Sequence, residues 1–148
     1  MLQHSDGSVF TASWASFRDT LPGQPIRRDA KVYIQLAVGT PTITLTAMLD
    51  TGAAFSVLHA DLAEELGAFD DADAPPLKLA TRHGLLPGHL VRRPAWLLAE
   101  DGESLEVDAT FWVSRAWRHG HFLGYGGLLQ RIRFALDPES NQFHFGPI

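Results

Sequence analysis

The stretch LTAMLDTGAAFSVL, residues 45–58, decides the fold of this 148-residue chain. It is an almost continuous apolar run, as in a buried strand, that is interrupted by Asp50, Thr51 and Gly52. Burying a carboxylate is costly unless hydrogen bonds or a shared proton compensate it. The sequence therefore predicts a special environment for Asp50 at the end of a strand.

The composition narrows the class of protein. A hydrophobic fraction of 45% over this length supports one globular domain with a core. The formal net charge of -5 leaves no broad basic field, so we expect neither nucleic acid nor a membrane as partner. There is no cysteine, which excludes disulfides and thiolate metal sites. The sequence shows no signal peptide and no apolar run of about 18 residues, which favours a soluble, cytoplasmic protein.

Hydrophobic periodicity predicts mostly short strands. Residues 1–29 contain several prolines and glycines and are expected to form an irregular N-terminal arm before a domain of residues 30–148. Two alternating segments, 31–38 and 42–49, predict a hairpin that delivers Asp50 to its end. Residues 59–67 change to a helical period and predict a short helix.

The second half of the chain continues this rhythm. Residues 77–83 and 89–99 predict two strands of an exposed hairpin with its turn at 84–88, and residues 104–114 predict the next strand. Leu128, Leu129 and Ile132 share a helical face and predict a second helix. Residues 141–145 alternate again. The predicted fold class is mainly β, a barrel or sandwich with one or two short helices.

Residues 47–53, AMLDTGA, resemble the active-site loop of the retropepsin-like, or retroviral-type, aspartic proteases, in the single-domain form found in bacteria. A second segment, Phe122-Leu123-Gly124, matches the apolar-apolar-Gly segment of that family. The resemblance spans roughly residues 31–146 in motif and order. It implies the acid-protease fold, which is a closed barrel.

The resemblance also implies roles for individual residues. Asp50 is the expected catalytic residue, Thr51 interlocks two copies of the loop, and Gly52 and Ala53 lie beside the substrate backbone. The residues expected to support this loop from behind are Phe122, Leu123 and Gly124. The hairpin at residues 77–98 occupies the place of the substrate-covering flap, with the expected flap residues Gly84, Leu85, Leu86 and Gly88.

A single Asp-Thr-Gly occurs in the chain, so the resemblance implies that a homodimer supplies the second aspartate. One carboxylate would accept a proton from water while the other polarises the peptide carbonyl, and no cofactor is needed. The expected function is a homodimeric aspartic endopeptidase that hydrolyses an extended peptide. Ala54 and Tyr125 stand where retroviral relatives have an acid and a base, which indicates a differently organised dimer contact.

Other interpretations of the sequence remain open. The same fold can serve as a catalytically silent peptide-binding or dimerisation module, or Asp50 can be a turn residue of a monomeric barrel. His119 and His121 form an HxH pair, but no third ligand has a suitable spacing, so surface or core histidines are favoured over zinc. The aspartates of residues 69–76 lack the spacing of a calcium loop. We therefore expect no metal.

Overall fold

The computed structural model describes residues 1–25 and 31–148, and this part of the chain is mainly β. Its α-helix is α1, Ala60–Glu65, within the segment predicted to be helical, and short 3-10 turns cover Ala68–Asp70 and Leu129–Arg131. None of these described helices is long and apolar enough to cross a membrane. The strands are β1 Leu2–Gln3, β2 Val9–Thr11, β3 Ser13–Ser16, β4 Tyr33–Val38, β5 Ile43–Leu49, β6 Ser56–Val57, β7 Leu79–Thr81, β8 Gly84–Leu86, β9 His89–Leu97, β10 Leu105–Val113, β11 His121–Leu123, β12 Ile132–Asp137 and β13 Gln142–Pro147.

Six strands form a closed barrel in the order β10-β6-β11-β5-β4-β9, which confirms the predicted fold class. β5 is central to it, because it pairs antiparallel with β4 and parallel with β11. Leu45 and Ala47 of β5 are buried in the core. Successive side chains of a strand point to opposite faces, so Thr46 and Met48 lie on the other side of β5.

A second sheet, in the order β12-β13-β3, packs beside the barrel. β13 pairs with β12 along its whole length and with β3 over four residues, and its Phe143 and Phe145 are buried. The N-terminal segment was expected to be irregular, but part of it forms the strand β3. The main chain of β3 pairs with the hydrogen-bonding groups on the second edge of β13. The division expected at residues 29 and 30 lies outside the described residues and stays a prediction.

The second predicted helix is a single 3-10 turn, Leu129–Arg131. Leu128 and Leu129 are fully buried, but the turn begins only at Leu129, and β12 begins directly after it at Ile132. The apolar spacing of these residues serves the barrel core rather than one face of a helix. Pairing of residues 132–137 with β13 overrides the local helical period.

The exposed hairpin has its turn earlier than predicted. β7 and β8 pair from Leu79 with Leu86 to Thr81 with Gly84, so the turn is at Arg82 and His83 rather than at residues 84–88. The Thr81 hydroxyl donates to the Gly84 carbonyl at 2.9 Å and accepts from the His83 N–H at 3.0 Å, which fixes the turn. We call residues 79–86 the β7–β8 hairpin.

Of the expected flap residues, three lie in β8 and one lies near the base of the hairpin. Gly84 starts β8 with a φ of 104°, and the side chain of Leu85 is 63% exposed. Gly88 packs against the indole of Trp112, where an added Cβ would lie 2.5 Å from the ring. The Trp112 Nε1–H also donates to the Leu77 carbonyl at 2.8 Å. Trp112 therefore anchors the base of the hairpin to the barrel.

We expect Trp112→Phe to lower the free energy of unfolding by about 1–3 kcal/mol, because the Leu77 carbonyl loses its donor and the smaller ring leaves a gap. Urea denaturation measures this change. The control is Trp96→Phe, because Trp96 is only partly buried and its indole makes no hydrogen bond with a described residue. Equal urea midpoints for the two variants would contradict the anchoring role.

Candidate active site

Asp50 follows β5 directly and is held by main-chain hydrogen bonds. Its N–H donates to the Leu123 carbonyl at 2.9 Å, and its carbonyl accepts from the Ala53 N–H at 3.1 Å. The Asp50 Oδ1 accepts from the Gly52 N–H at 3.0 Å. The loop therefore closes on itself and fixes the orientation of the carboxylate.

The segment after β11 lies directly behind this loop. The Gly124 N–H donates to the buried Ser56 Oγ at 3.0 Å, and the next two N–H groups donate to the Ala53 and Ala54 carbonyls at 2.9 and 2.8 Å. A Cβ on Gly124 would lie 2.2 Å from the Phe55 carbonyl oxygen, so this position requires glycine because of close approach. Leu123 is buried in the barrel core, and Phe122 packs against Val57 and Trp117 in a smaller apolar cluster.

The outer side of the loop faces solvent in the single chain. Thr51, Gly52 and Ala54 are exposed, and the side chain of Tyr125 beside them is 54% exposed. Asp50 itself is half-buried. In a single chain, therefore, its carboxylate is not buried as the sequence analysis expected. The Thr51 hydroxyl makes no hydrogen bond with any residue of the described ranges. The described residues of the loop thus present an uncovered surface on which the carboxylate of Asp50 is the one acidic side chain.

Asp50 lies in an open groove of about 650 Å³. The barrel contributes Tyr33, Thr46 and Met48, which lie on the face of β4 and β5 away from the core. The β7–β8 hairpin contributes Ala80, Thr81 and Arg82 rather than the expected Gly84, Leu85, Leu86 and Gly88. The remaining lining residues are Leu21, Lys31, Trp117, Gly120, His121 and Phe122.

The tip of the β7–β8 hairpin contacts the segment between β10 and β11. The His83 ring stacks on His119 with centroids 3.8 Å apart and an interplanar angle of 7°. Trp117 approaches both rings edge-on, at 6.0 and 4.9 Å. The pKa of His119 is lowered by shielding from water and by the nearby His83 and Arg82. These contacts hold the hairpin tip in place at one end of the groove.

His121 is a groove residue for which the sequence analysis proposed no function. Its Nδ1 accepts a hydrogen bond from the His59 main-chain N–H at 3.1 Å. Burial, followed by the neighbouring His59, lowers the pKa of His121. At neutral pH the ring is therefore uncharged and carries its proton on Nε2.

The two histidines of the HxH pair have different neighbours. His119 stacks on the hairpin, whereas His121 binds the main chain before α1. Within residues 1–25 and 31–148, no three histidine or acidic side chains are grouped so that they could hold a metal ion. The alternation of core and groove side chains along β5 could have identified Thr46 and Met48 from the sequence. Arg82 and His121 carry no such local signal.

Comparison with known proteins identifies the fold. No family model matches the sequence, and a comparison with curated proteins gives no match. Among solved structures, a retropepsin-like aspartic protease from Rickettsia conorii matches with a TM-score of 0.59 and 20% identity over 89% of each chain. The EIAV protease, solved with the inhibitor HBY-793, matches with a TM-score of 0.46 and 15% identity, over 72% of this chain and 93% of that one. From the first of these, the chain has the retropepsin-like aspartic protease fold.

We expect Gly124→Ala to lower the free energy of unfolding by about 1–3 kcal/mol or more, because the added Cβ overlaps the Phe55 carbonyl and the Ser56 N–H. Gly120→Ala is the matched control, since a Cβ there meets nothing within 4 Å. Thermal or urea unfolding of both variants measures the difference. Equal stability would show that the two segments do not pack as closely as described.

Acidification should destabilise the folded chain in part through His121. The unfolded chain binds a proton at this residue with the ordinary pKa of about 6.5, whereas the folded chain binds it with a lowered pKa. The contribution of His121 to stability is therefore complete above about pH 6.5 and declines as the pH falls from there through the lower, folded-state pKa.

Urea denaturation at about pH 7.5 and about pH 5 measures this decline. In His121→Asn, whose side chain does not titrate, the decline should be smaller than in the native chain. It should not vanish, because the pKa values of His119 and His144 are lowered in the same direction. An identical decline in the native chain and the variant would contradict the assignment.

Proposed function

We propose that the protein is a homodimeric aspartic endopeptidase in which Asp50 of two copies activates water against a peptide bond. The observation that carries the proposal is the position of Asp50. Its carboxylate lies in the groove, is oriented by the Gly52 N–H, and belongs to a loop whose outer residues face solvent. A single chain therefore holds one half of a two-carboxyl site, with an uncovered surface around it.

Two carboxyl groups divide the chemistry between them. One carboxylate accepts a proton from water, whose oxygen attacks the carbonyl carbon, while the other, protonated, carboxyl donates a hydrogen bond to the carbonyl oxygen. The tetrahedral intermediate breaks its C–N bond as the amide nitrogen takes up a proton, which leaves a free acid and a free amine. Two carboxyls at about 3 Å cannot both be ionised, so the pair shares one proton.

The loop residues have supporting roles in this proposal. The Thr51 hydroxyl, exposed and without a partner among the described residues, is available to bond with the loop of a second copy. Gly52 and Ala53 have small side chains or none, so the substrate backbone can approach the main chain of the loop closely. Phe122, Leu123 and Gly124 hold the loop from behind, through the bonds from Gly124 to Ser56 and from Asp50 to Leu123.

The shape of the groove suits an extended peptide. Such a peptide can lie between β5 and the β7–β8 hairpin and pair its main chain with an outer edge of this two-stranded hairpin. In the proposal this hairpin, with Gly84, Leu85, Leu86 and nearby Gly88, acts as the flap. Its Ala80, Thr81 and Arg82 line the groove.

The test of the proposal is cleavage of a diverse peptide library from about pH 3 to about pH 8 by the native chain and by Asp50→Asn. We expect cleavage by the native chain and a loss of at least about 10³-fold in the variant, because the amide can neither accept nor share the proton. Asp73→Asn is the matched control, since Asp73 lies in an exposed loop outside the groove. Mass spectrometry of the products measures the rate.

Three results would count against the proposed protease. Equal cleavage by native chain and Asp50→Asn would assign any activity to another group or a contaminant. No cleavage at any pH by a chain that sediments as a dimer would favour the peptide-binding module on the same fold. If the chain sediments as a monomer even with a bound peptide inhibitor, the proposal of a site with two Asp50 carboxyls is contradicted.

A further inference from the structure

We propose that the groove selects peptides with an acidic side chain, whose carboxylate is bound by His121 and Arg82. This inference names the substrate class and rests on the proposed function for its reaction, but the recognition itself is a binding property. The inference is based on two groove residues that take no part in the proposed chemistry at Asp50.

The first is His121, which presents a hydrogen-bond donor to the groove. Its Nδ1 is occupied by the His59 N–H at 3.1 Å, so the neutral ring carries its proton on Nε2. None of the described residues accepts a hydrogen bond from this Nε2, and His121 lines the groove. The bond to His59 fixes the ring, so the donor is oriented before a ligand arrives.

The second is Arg82, whose charge is uncompensated within the described chain. Its Nε contacts the His83 Nε2 at 3.4 Å, and its side chain forms no ion pair with a described acid. Some other surface arginines are paired with acids: the Arg92 guanidinium contacts the Asp108 carboxylate, and Arg115 contacts Glu64 at 2.8 Å. Arg131 and Arg133, which do not line the groove, form no ion pair with a described acid. An unpaired guanidinium at the edge of a groove is suited to bind a carboxylate.

The charges along the groove favour the same ligand. Among the described residues, its lining includes two cationic side chains, Lys31 and Arg82, and one acid, Asp50, which the proposed reaction uses. A carboxylate on the substrate therefore meets positive charge on the hairpin and an N–H donor on the barrel side. A lysine or arginine of the substrate would meet repulsion at the hairpin.

The experiment measures binding to Asp50→Asn, which retains peptides without cutting them. The probes are end-blocked octapeptides in pairs that differ only by Glu or Gln at one position. We expect the preferred Glu peptide to bind about tenfold more tightly than its Gln partner, as for a charge-assisted hydrogen bond. In Arg82→Gln this preference should disappear, while Arg92→Gln, at a paired arginine outside the groove, should keep it.

Two substitutions separate recognition by His121 from its structural role. In His121→Asn the side-chain oxygen can replace Nδ1 as the acceptor for the His59 N–H, but no donor remains at the place of Nε2. His121→Gln reverses this, because its amide nitrogen reaches the place of Nε2. We expect the Asn variant to lose affinity for the Glu peptide about five- to tenfold and the Gln variant to keep most of it.

The outcomes distinguish this inference from the proposed function. Equal binding of Glu and Gln peptides, or a preference that survives in Arg82→Gln or in His121→Asn, overturns the inference. Cleavage without a Glu preference overturns the inference alone. A Glu preference without cleavage by the native chain supports the acidic-peptide inference and overturns only the proposed protease function. If no peptide binds to any variant, both are overturned.

Discussion

The structure depends on the contact between two segments that are about seventy residues apart in the chain. The Leu123 carbonyl accepts from the Asp50 N–H, and the Gly124 N–H donates to Ser56 Oγ in the buried space behind. This contact closes the barrel between β5, β6 and β11, and it also positions the carboxylate. Fold and candidate site therefore share the same hydrogen bonds, and a change that weakens one weakens the other.

The sequence predicts the parts of this arrangement that are local. The apolar run through residue 49, the Asp-Thr-Gly turn and the alternating strands follow from periodicity and turn chemistry, and the barrel agrees with them. The helix predicted around Leu128 is only a 3-10 turn, because burial in a barrel core produces the same apolar spacing as a helix face. The turn of the hairpin was predicted at the wrong residues because its glycines are required for other reasons. Gly84 has a positive φ, and Gly88 packs closely against Trp112.

The groove residues could not be predicted for a different reason. Whether a histidine is a donor, an acceptor or a cation depends on the atom that its other nitrogen contacts, and for His121 that atom belongs to His59, 62 positions away. Likewise, an arginine becomes a recognition group only when nearby acids leave it unpaired, as at Arg82 but not at Arg92. Such properties arise from tertiary contacts, which a single sequence does not encode in any short pattern.

The second sheet has a consequence for how two copies can meet. β13 is occupied on one edge by β12 and over four residues on the other by β3, so this terminal strand has little main chain left to exchange with a neighbour. A pair held by the loop of the proposed site alone would rest on a few exposed residues, namely Thr51, Gly52, Ala54 and Tyr125. Small contacts give weak, reversible association. Well below the dissociation constant of such a pair, the amount of paired chain would rise with the square of the chain concentration, so that dilution alone would suppress the proposed activity.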